Sequence, residues 1–434
     1  MTARERRNRP TEGTTEGTWT RRGVLAGLLG APVLLIAACN DTKSTGTAGT
    51  GTGAAGTGGA SGGGASATGS ASSSPKTSVA KITVLPADEA ANASFTQPVK
   101  VTVAAGTLSS VRLADSTGQA VEGRLAADSA SWTSTGTLTS GTKYTVAAAA
   151  TDADGLESDV NTTFTTTTPA NTFVGYFTPE NGSVVGVGMP VSINFNKPIT
   201  DREAVQRAIT VTAQPGVEIV GHWFSSTRLD FRPEDYWAAG TKVTLKLRLK
   251  DVEGAKGYYG TQSKDVRFTV GRSQTSVVDL AAKTLTVTTD GQVSATYPIS
   301  GGSPEHKTWG GRMVISEQFQ QTKMDSTTVG LGDEYNIPDV PHAQRLTTSG
   351  TFIHGNYWSP AAIFGSQNTS HGCVGLQDAK GGEDPSTNGY KFYKSSIVGD
   401  VVEVVNSGDK TVEPSNGLNG WNMTWAAWKA GSAL

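Results

Sequence analysis

Pro190-Val191-Ser192-Ile193-Asn194-Phe195 alternates apolar and polar side chains behind a proline, and Pro98-Val99-Lys100-Val101-Thr102-Val103 repeats that pattern 92 residues earlier. A period of two puts Val191, Ile193 and Phe195 on one face of a strand, as it does Val99, Val101 and Val103. Working outward, Pro86 matches Pro179, Trp132 matches Trp223, Gly141-Thr142-Lys143 matches Gly240-Thr241-Lys242, and Gly155 matches Gly254. The offset grows from 91 at the tryptophans to 99 at Gly-Thr-Lys, which predicts one longer loop in the second copy. Short alternating strands with Gly/Asp turns predict two immunoglobulin-like sandwiches, over 78–169 and 170–272, with no cysteine to bridge their sheets. Neither shows clustered titratable residues, so both read as spacers or docking modules. His222, beside Trp223, reads as a packed surface residue rather than a ligand.

Composition bounds what surrounds them. The 434 residues carry 36 Lys+Arg against 38 Asp+Glu, a net charge of -2, and only 17% charged residues, which speaks against a nucleic-acid partner. A hydrophobic fraction of 36% with 53 glycines implies that part of the chain does not fold. Arg4, Arg6, Arg7 and Arg9, then Thr20-Arg21-Arg22-Gly23-Val24-Leu25, read as the basic region of a twin-arginine export signal. The apolar stretch Val24–Ala38 is short for a membrane span and ends in Ile36-Ala37-Ala38-Cys39, small residues before a lipid-modified cysteine. Residues 1–38 are therefore expected to be a signal peptide. Residues 39–77, rich in Gly, Ser, Thr and Ala, are expected to be a tether spanning roughly 33 Å. A lipid on Cys39 would hold the chain to the outer face of the membrane.

From Ser273 the pattern changes. Val277-Val278-Asp279-Leu280, Leu285-Thr286-Val287, Val293 to Tyr297, Met313-Val314-Ile315, Thr351 to His354, Cys373 to Leu376 and Val401 to Val405 read as strands. The fold class is thus mostly β, with a β-rich domain over 273–405 and a tail over 406–434. Helix is expected only over Gln377–Lys380, Tyr390–Ser395 and the tail. There Trp421, Trp425 and Trp428 fall at i, i+4 and i+7, a stripe that would dock on a neighbouring domain. The rival reading of that stripe is an aromatic platform for glycan.

With Cys39 lipid-bound, Cys373 is an unpaired thiol in an exported protein, which asks for a reason. A buried inert cysteine is the plain reading. Ser370-His371-Gly372-Cys373 places a histidine two residues before the sulfur, on the same face if the segment is a strand, and His354-Gly355 lies 19 residues upstream of the thiol. An imidazole near a thiol can lower its pKa and supply the attacking thiolate. Gly355 and Gly372 permit close backbone approach and leave N–H groups to face an oxyanion.

His354-Gly355 and Ser370-His371-Gly372-Cys373 together closely resemble the active-site signature of the L,D-transpeptidase (YkuD) family. Tyr297-Pro298-Ile299-Ser300-Gly301-Gly302, Met324-Asp325-Ser326-Thr327-Thr328 and Ser349-Gly350-Thr351-Phe352-Ile353-His354 resemble further segments of its catalytic domain. The succession of lipobox, tether, paired immunoglobulin-like units and Trp-bearing tail is similar to actinobacterial members. The resemblance implies that Cys373 is the nucleophile, His354 the general acid/base, and His371 a support beside the sulfur. It implies that the Gly355 carbonyl, where several relatives have Ser, orients His354, and that the Gly372 and Cys373 N–H groups form the oxyanion hole. Tyr335 would cover the donor site, one residue further from the histidine than is usual. Ser349 and Gly350 would line the substrate cleft. Gly375 stands where many relatives carry Asn, a contact that Asn356 could supply. Thr308-Trp309-Gly310-Gly311 replaces the usual Thr-Pro-x-Gly and should alter a loop, not the chemistry.

The implied reaction is acyl transfer between peptidoglycan stem peptides. The donor loses D-Ala, a 3→3 cross-link forms, no cofactor is needed, and carbapenem β-lactams act as covalent inhibitors. Two other classes stay in view. His354, His371 and Cys373, with His342 or a water, could hold zinc in a peptidoglycan peptidase. Alternatively, the chain could be a non-catalytic wall-binding lipoprotein. Ser73-Ser74-Pro75-Lys76 and Ser140-Gly141-Thr142-Lys143 match the S-x-x-K of serine penicillin-binding proteins, but no S-D-N or K-T-G element accompanies them.

Overall fold

The computed structural model describes residues 76–330 and 332–434. The expected signal, Cys39 and all but the last two residues of the expected tether lie outside the described residues.

The first sandwich pairs a four-stranded sheet (Lys81–Leu85, Lys100–Ala104, Ser131–Ser134, Gly123–Leu125) with a five-stranded one built on Thr107–Asp115, Lys143–Thr151 and Glu157–Thr166. Val99, Val101, Trp132, Val146 and Phe164 meet in its core. The second buries the matching Val191, Ile193, Phe195 and Trp223. It is longer in more places than the loop expected from the offsets. A helix at Arg202–Arg207 and a small sheet of Asn171–Phe173, Glu253–Ala255 and Tyr258–Gly260 are added. Gly254, matched to the turn residue Gly155, is no turn: it packs against the Phe173 ring, and Gly257, at φ 75°, does the turning.

The region after Ser273 is a nine-stranded sheet. In chain order its strands are β1 (Gln274–Asp279), β2 (Thr284–Thr289), β3 (Gln292–Ser300), β4 (Gly311–Val314), β5 (Glu317–Asp325), β6 (Asn336–Arg345), β7 (Phe352–Asn356), β8 (Val374–Gln377) and β9 (Val401–Val405). Their order across the sheet is β4-β9-β1-β2-β3-β8-β7-β6-β5. The β2–β3 turn is Asp290-Gly291, both at positive φ, the two-residue hairpin turn that matches strand twist. Val278, Leu285, Ile299, Ile353, Val374 and Val402 form the core under the sheet, closed by Phe392 from the Asn388–Ser395 helix.

Three sequence expectations need correction. Gln377–Lys380 is not helical, because pairing with β7 carries β8 through Gln377, and the Asp378 carboxylate then takes the Ala379 N–H. The tail is not one helix: Trp421 lies in a 3₁₀ turn (Gly420–Asn422) and a separate helix starts at Trp425 (Trp425–Ala430). The three rings still converge, around the guanidinium of Arg232 at 4.5, 5.4 and 4.4 Å for Trp421, Trp425 and Trp428. His222 is packed as expected but buried, stacked on Trp428 at 4.8 Å with Nδ1 2.9 Å from the Trp428 carbonyl.

Candidate active site

β7 and β8 run parallel with His354 opposite Gly375 and Ile353 opposite Val374. Cys373 stands one residue before β8, level with Phe352, whose N–H bonds to the sulfur. The thiol itself donates to the Gly350 carbonyl at 3.6 Å. Gly350 (φ 104°) and Gly372 (φ 109°) hold conformations that side chains rarely adopt, so both turns require glycine. The kink at Gly372 means His371 and Cys373 do not share a strand face as the spacing suggested. His371 instead turns toward Glu334, with Nε2 3.1 Å from the carboxylate, and lies 5.0 Å from the Tyr335 ring.

His354 is buried, and its Nδ1 lies 2.9 Å from the Gly355 carbonyl. A carbonyl only accepts, so Nδ1 carries the proton and the neutral ring keeps its Nε2 lone pair. Burial lowers the His354 pKa below the usual imidazole value, against the opposing pull of the Gly355 bond and the Asp378 charge. Burial pushes the Cys373 thiol up to about 11, with the Phe352 N–H working against it. The resting pair is therefore neutral thiol and neutral imidazole. The expected lowering of the thiol pKa is not met, because desolvation outweighs any help from the ring.

Two cavities meet at Tyr335 and His371, and Cys373 lines the smaller of them. One of about 140 Å³ is lined by Tyr335, His354, Asn356, Trp358, His371 and Cys373. The other, of about 310 Å³, is lined by Tyr335, Ser349, Gly350, His371 and Gly372. Three larger ones, of about 570, 490 and 600 Å³, lie on the sandwiches and their junctions, away from the thiol. Tyr335 is shared by both of these cavities. Its backbone N–H is held by Ser326 Oγ at 3.0 Å, and its hydroxyl pKa is raised to about 12, chiefly by burial. Gly375 is flanked by the Asn356 side chain, whose Nδ2 would lie 3.5 Å from a Cβ there. That amide is tied to Ser359 by two hydrogen bonds.

One donor expected in the oxyanion hole is occupied: the Gly372 N–H donates to Ser370 Oγ at 3.2 Å, while Ser370 Oγ donates to the Cys373 carbonyl at 2.6 Å. The Cys373 N–H is the one of the pair that Ser370 does not take. Sequence reading also missed Trp358, which stacks on the His354 ring at 5.6 Å and 16°. It missed Asp378 too, which lies against Gly355 so closely that a Cβ there would come within 2.1 Å of Oδ2. That contact accounts for glycine at 355. His342, offered above as a zinc ligand, is buried with Asp378 at 2.7 Å and does not join Cys373.

The sequence model of the L,D-transpeptidase catalytic domain matches residues 273–381, and that of a bacterial Ig domain matches 90–253. The chain is 35% identical over 360 residues to L,D-transpeptidase 2 of Mycobacterium tuberculosis, covering 82% of this chain and 85% of that protein. The chain belongs to the L,D-transpeptidase family. L,D-transpeptidase 5 of the same organism is 32% identical over 361 residues, 82% of this chain and 77% of the relative. A solved L,D-transpeptidase in complex with imipenem is 30% identical, with a TM-score of 0.45 over 55% of this chain and all of that one. This enzyme thus carries the family's catalytic domain on a sheet that brings Cys373 and His354 to one cavity.

Proposed function

We propose that this L,D-transpeptidase joins peptidoglycan stem peptides through a thioester on Cys373, with His354 moving the protons. The observation that carries the reading is the shared cavity of a half-buried thiol and a buried imidazole whose Nδ1 is fixed on the Gly355 carbonyl. With the thiol neutral at rest, its proton passes to His354 Nε2 as the sulfur attacks the carbonyl of the third residue of a tetrapeptide stem. The Cys373 N–H faces the developing oxyanion, and Gly372 adds its own if Ser370 lets go. The carbon–nitrogen bond to D-Ala then breaks, and His354 returns the proton to the departing amine. An amine on the third residue of a second stem attacks the thioester, giving its proton to His354 as the sulfur leaves and recovers it. Tyr335, Ser349, Gly350 and Asn356 line the two approaches, Gly375 lies behind the Asn356 side chain, and His371 steadies the loop before the sulfur.

The test is acylation of the full chain by a carbapenem, whose strained amide the same thiol can open. The protein should gain the mass of one opened lactam on the peptide containing Ser370-His371-Gly372-Cys373. Cys373→Ala should lose both adduct and transfer, and His354→Ala should slow both by about 10²–10⁴. Transfer persisting in Cys373→Ala would overturn the assignment.

The wall-facing location completes the reading. No helix among the described residues is long and apolar enough to cross a membrane. A diacylated Cys39 would anchor stably, where one chain binds only marginally. Cys39→Ser should move the protein out of the membrane fraction, and retention there would count against the anchor.

A further inference from the structure

His306, Glu334 and His371 come from three loops, after β3, between β5 and β6, and just before Cys373. Their ligand atoms nevertheless lie within 4.8 Å of one another. Nε2 of His306 is 3.4 Å from Glu334 Oε2, and Nε2 of His371 is 3.1 Å from the same oxygen. Zinc bonds of ~2.0–2.1 Å at tetrahedral angles separate neighbouring ligand atoms by roughly 3.3 Å. Both measured nitrogen–oxygen gaps sit near that edge length. Two imidazoles and one carboxylate are also a donor set that zinc takes with a water in fourth place. All three groups are partly exposed, so ion and water can reach them.

The ligands are held by their backbones. Ser303 N–H donates to the Ser370 carbonyl at 2.8 Å, Gly302 bridges Ser370, and His306 N–H returns to the Ser303 carbonyl at 3.1 Å. That zips the His306 turn to the His371 loop. Glu334 precedes Tyr335, whose N–H is pinned on Ser326. We propose that His306, Glu334 and His371 form a zinc-binding site that ties the β5–β6 connection to the loop carrying Cys373. Because Tyr335 and His371 line both the cavity that holds the sulfur and the one along Gly350 and Gly372, a bound ion holds that entrance and slows acylation. Zinc binding stands without any assignment of the nucleophile; only the slowed acylation rests on the reading above.

The experiment titrates the full chain with zinc chloride against a chromogenic chelator, for wild type, His306→Gln, Glu334→Gln and Cys373→Ser. His306→Gln and Glu334→Gln should each weaken binding by about tenfold or more, the usual loss for a metal site's partners. Cys373→Ser should bind as wild type, and X-ray absorption at the zinc edge should show nitrogen and oxygen neighbours without sulfur. Zinc should slow carbapenem acylation of wild type, and the ratio of rates with and without zinc should return to one in His306→Gln. Binding lost in Cys373→Ser, or sulfur in the zinc shell, would put the ion on the thiol and overturn the site. So would equal binding by His306→Gln, or no saturable binding, which would leave the three groups a hydrogen-bonded cluster only. If zinc binds as expected but leaves acylation unchanged, the latch fails while the site and the nucleophile assignment both stand.

Discussion

At Cys373 two effects oppose each other, and burial wins. An exposed thiol titrates near 8.5, whereas this one is pushed up to about 11. A raised acid pKa means the proton is kept longer, so thiolate is scarce at neutral pH. Alkylation of Cys373 by a neutral reagent should therefore keep rising with pH toward about 11; a plateau near 8.5 would show the thiol to be solvated. His354 shifts the other way, its pKa lowered by burial. Only the neutral ring can accept the thiol proton, so β-lactam acylation should fall as pH drops, with a midpoint below about 6.5. A midpoint above that value would mean an imidazole stabilised as a cation.

The tail shows what a whole element contributes. Trp428 is 0% exposed, donates Nε1–H to the Val220 carbonyl at 2.9 Å and stacks on His222. Trp421 donates to the Gly188 carbonyl at 2.7 Å. Between them Arg232 is buried and lowered to about 10 by desolvation, still charged at neutral pH, and it donates to the carbonyls of Pro233, Glu234, Gly420 and Met423. Trp425 is only half-buried. Trp428→Ala should thus cost ~3–5 kcal/mol in denaturant unfolding. Trp425→Ala should cost about 1 kcal/mol, the scale of a partly exposed cation–π contact. The reverse order would return weight to the glycan-platform reading.

Across the whole described unit, the second sandwich and the catalytic sheet share a core, since Val401 of β9 packs with the sandwich cluster. Gly186 N–H donates to Val398 and Gly188 N–H to Gly399, at 2.8 and 2.9 Å. Arg272 pairs with the buried Asp400 at 2.8 Å. A Cβ at Gly186 would meet the Asp400 amide nitrogen at 2.2 Å, backbone that cannot swing aside. Gly186→Ala should destabilise by about 1–3 kcal/mol, as overpacking does. It should also expose the 271–273 connection to proteolysis while leaving carbapenem acylation at Cys373 unchanged. Protection equal to wild type would mean the junction yields without opening.

Local pattern determined the strands and the repeat: alternation at Val191, Ile193 and Phe195 is a property of neighbours two apart, and it needs no tertiary knowledge. The signature His354-Gly355 and Ser370-His371-Gly372-Cys373 likewise singled out two residues that line one cavity, because its spacing matches a family rather than a fold. Position in sequence could not say that Gly372 would bend the chain so that His371 pairs with Glu334, 37 residues distant in the chain. Nor could it show that Trp358 would stack on His354, or that Asp378 would fill the space beside Gly355. Helical spacing in the tail suggested one stripe, yet the chain breaks into a turn and a helix so that Trp421 and Trp428 can close on Arg232. Protonation was least legible of all. A histidine near a cysteine suggests a thiolate, but the sign of the shift depends on how deeply both are buried, and burial is decided by strands far apart in sequence packing together.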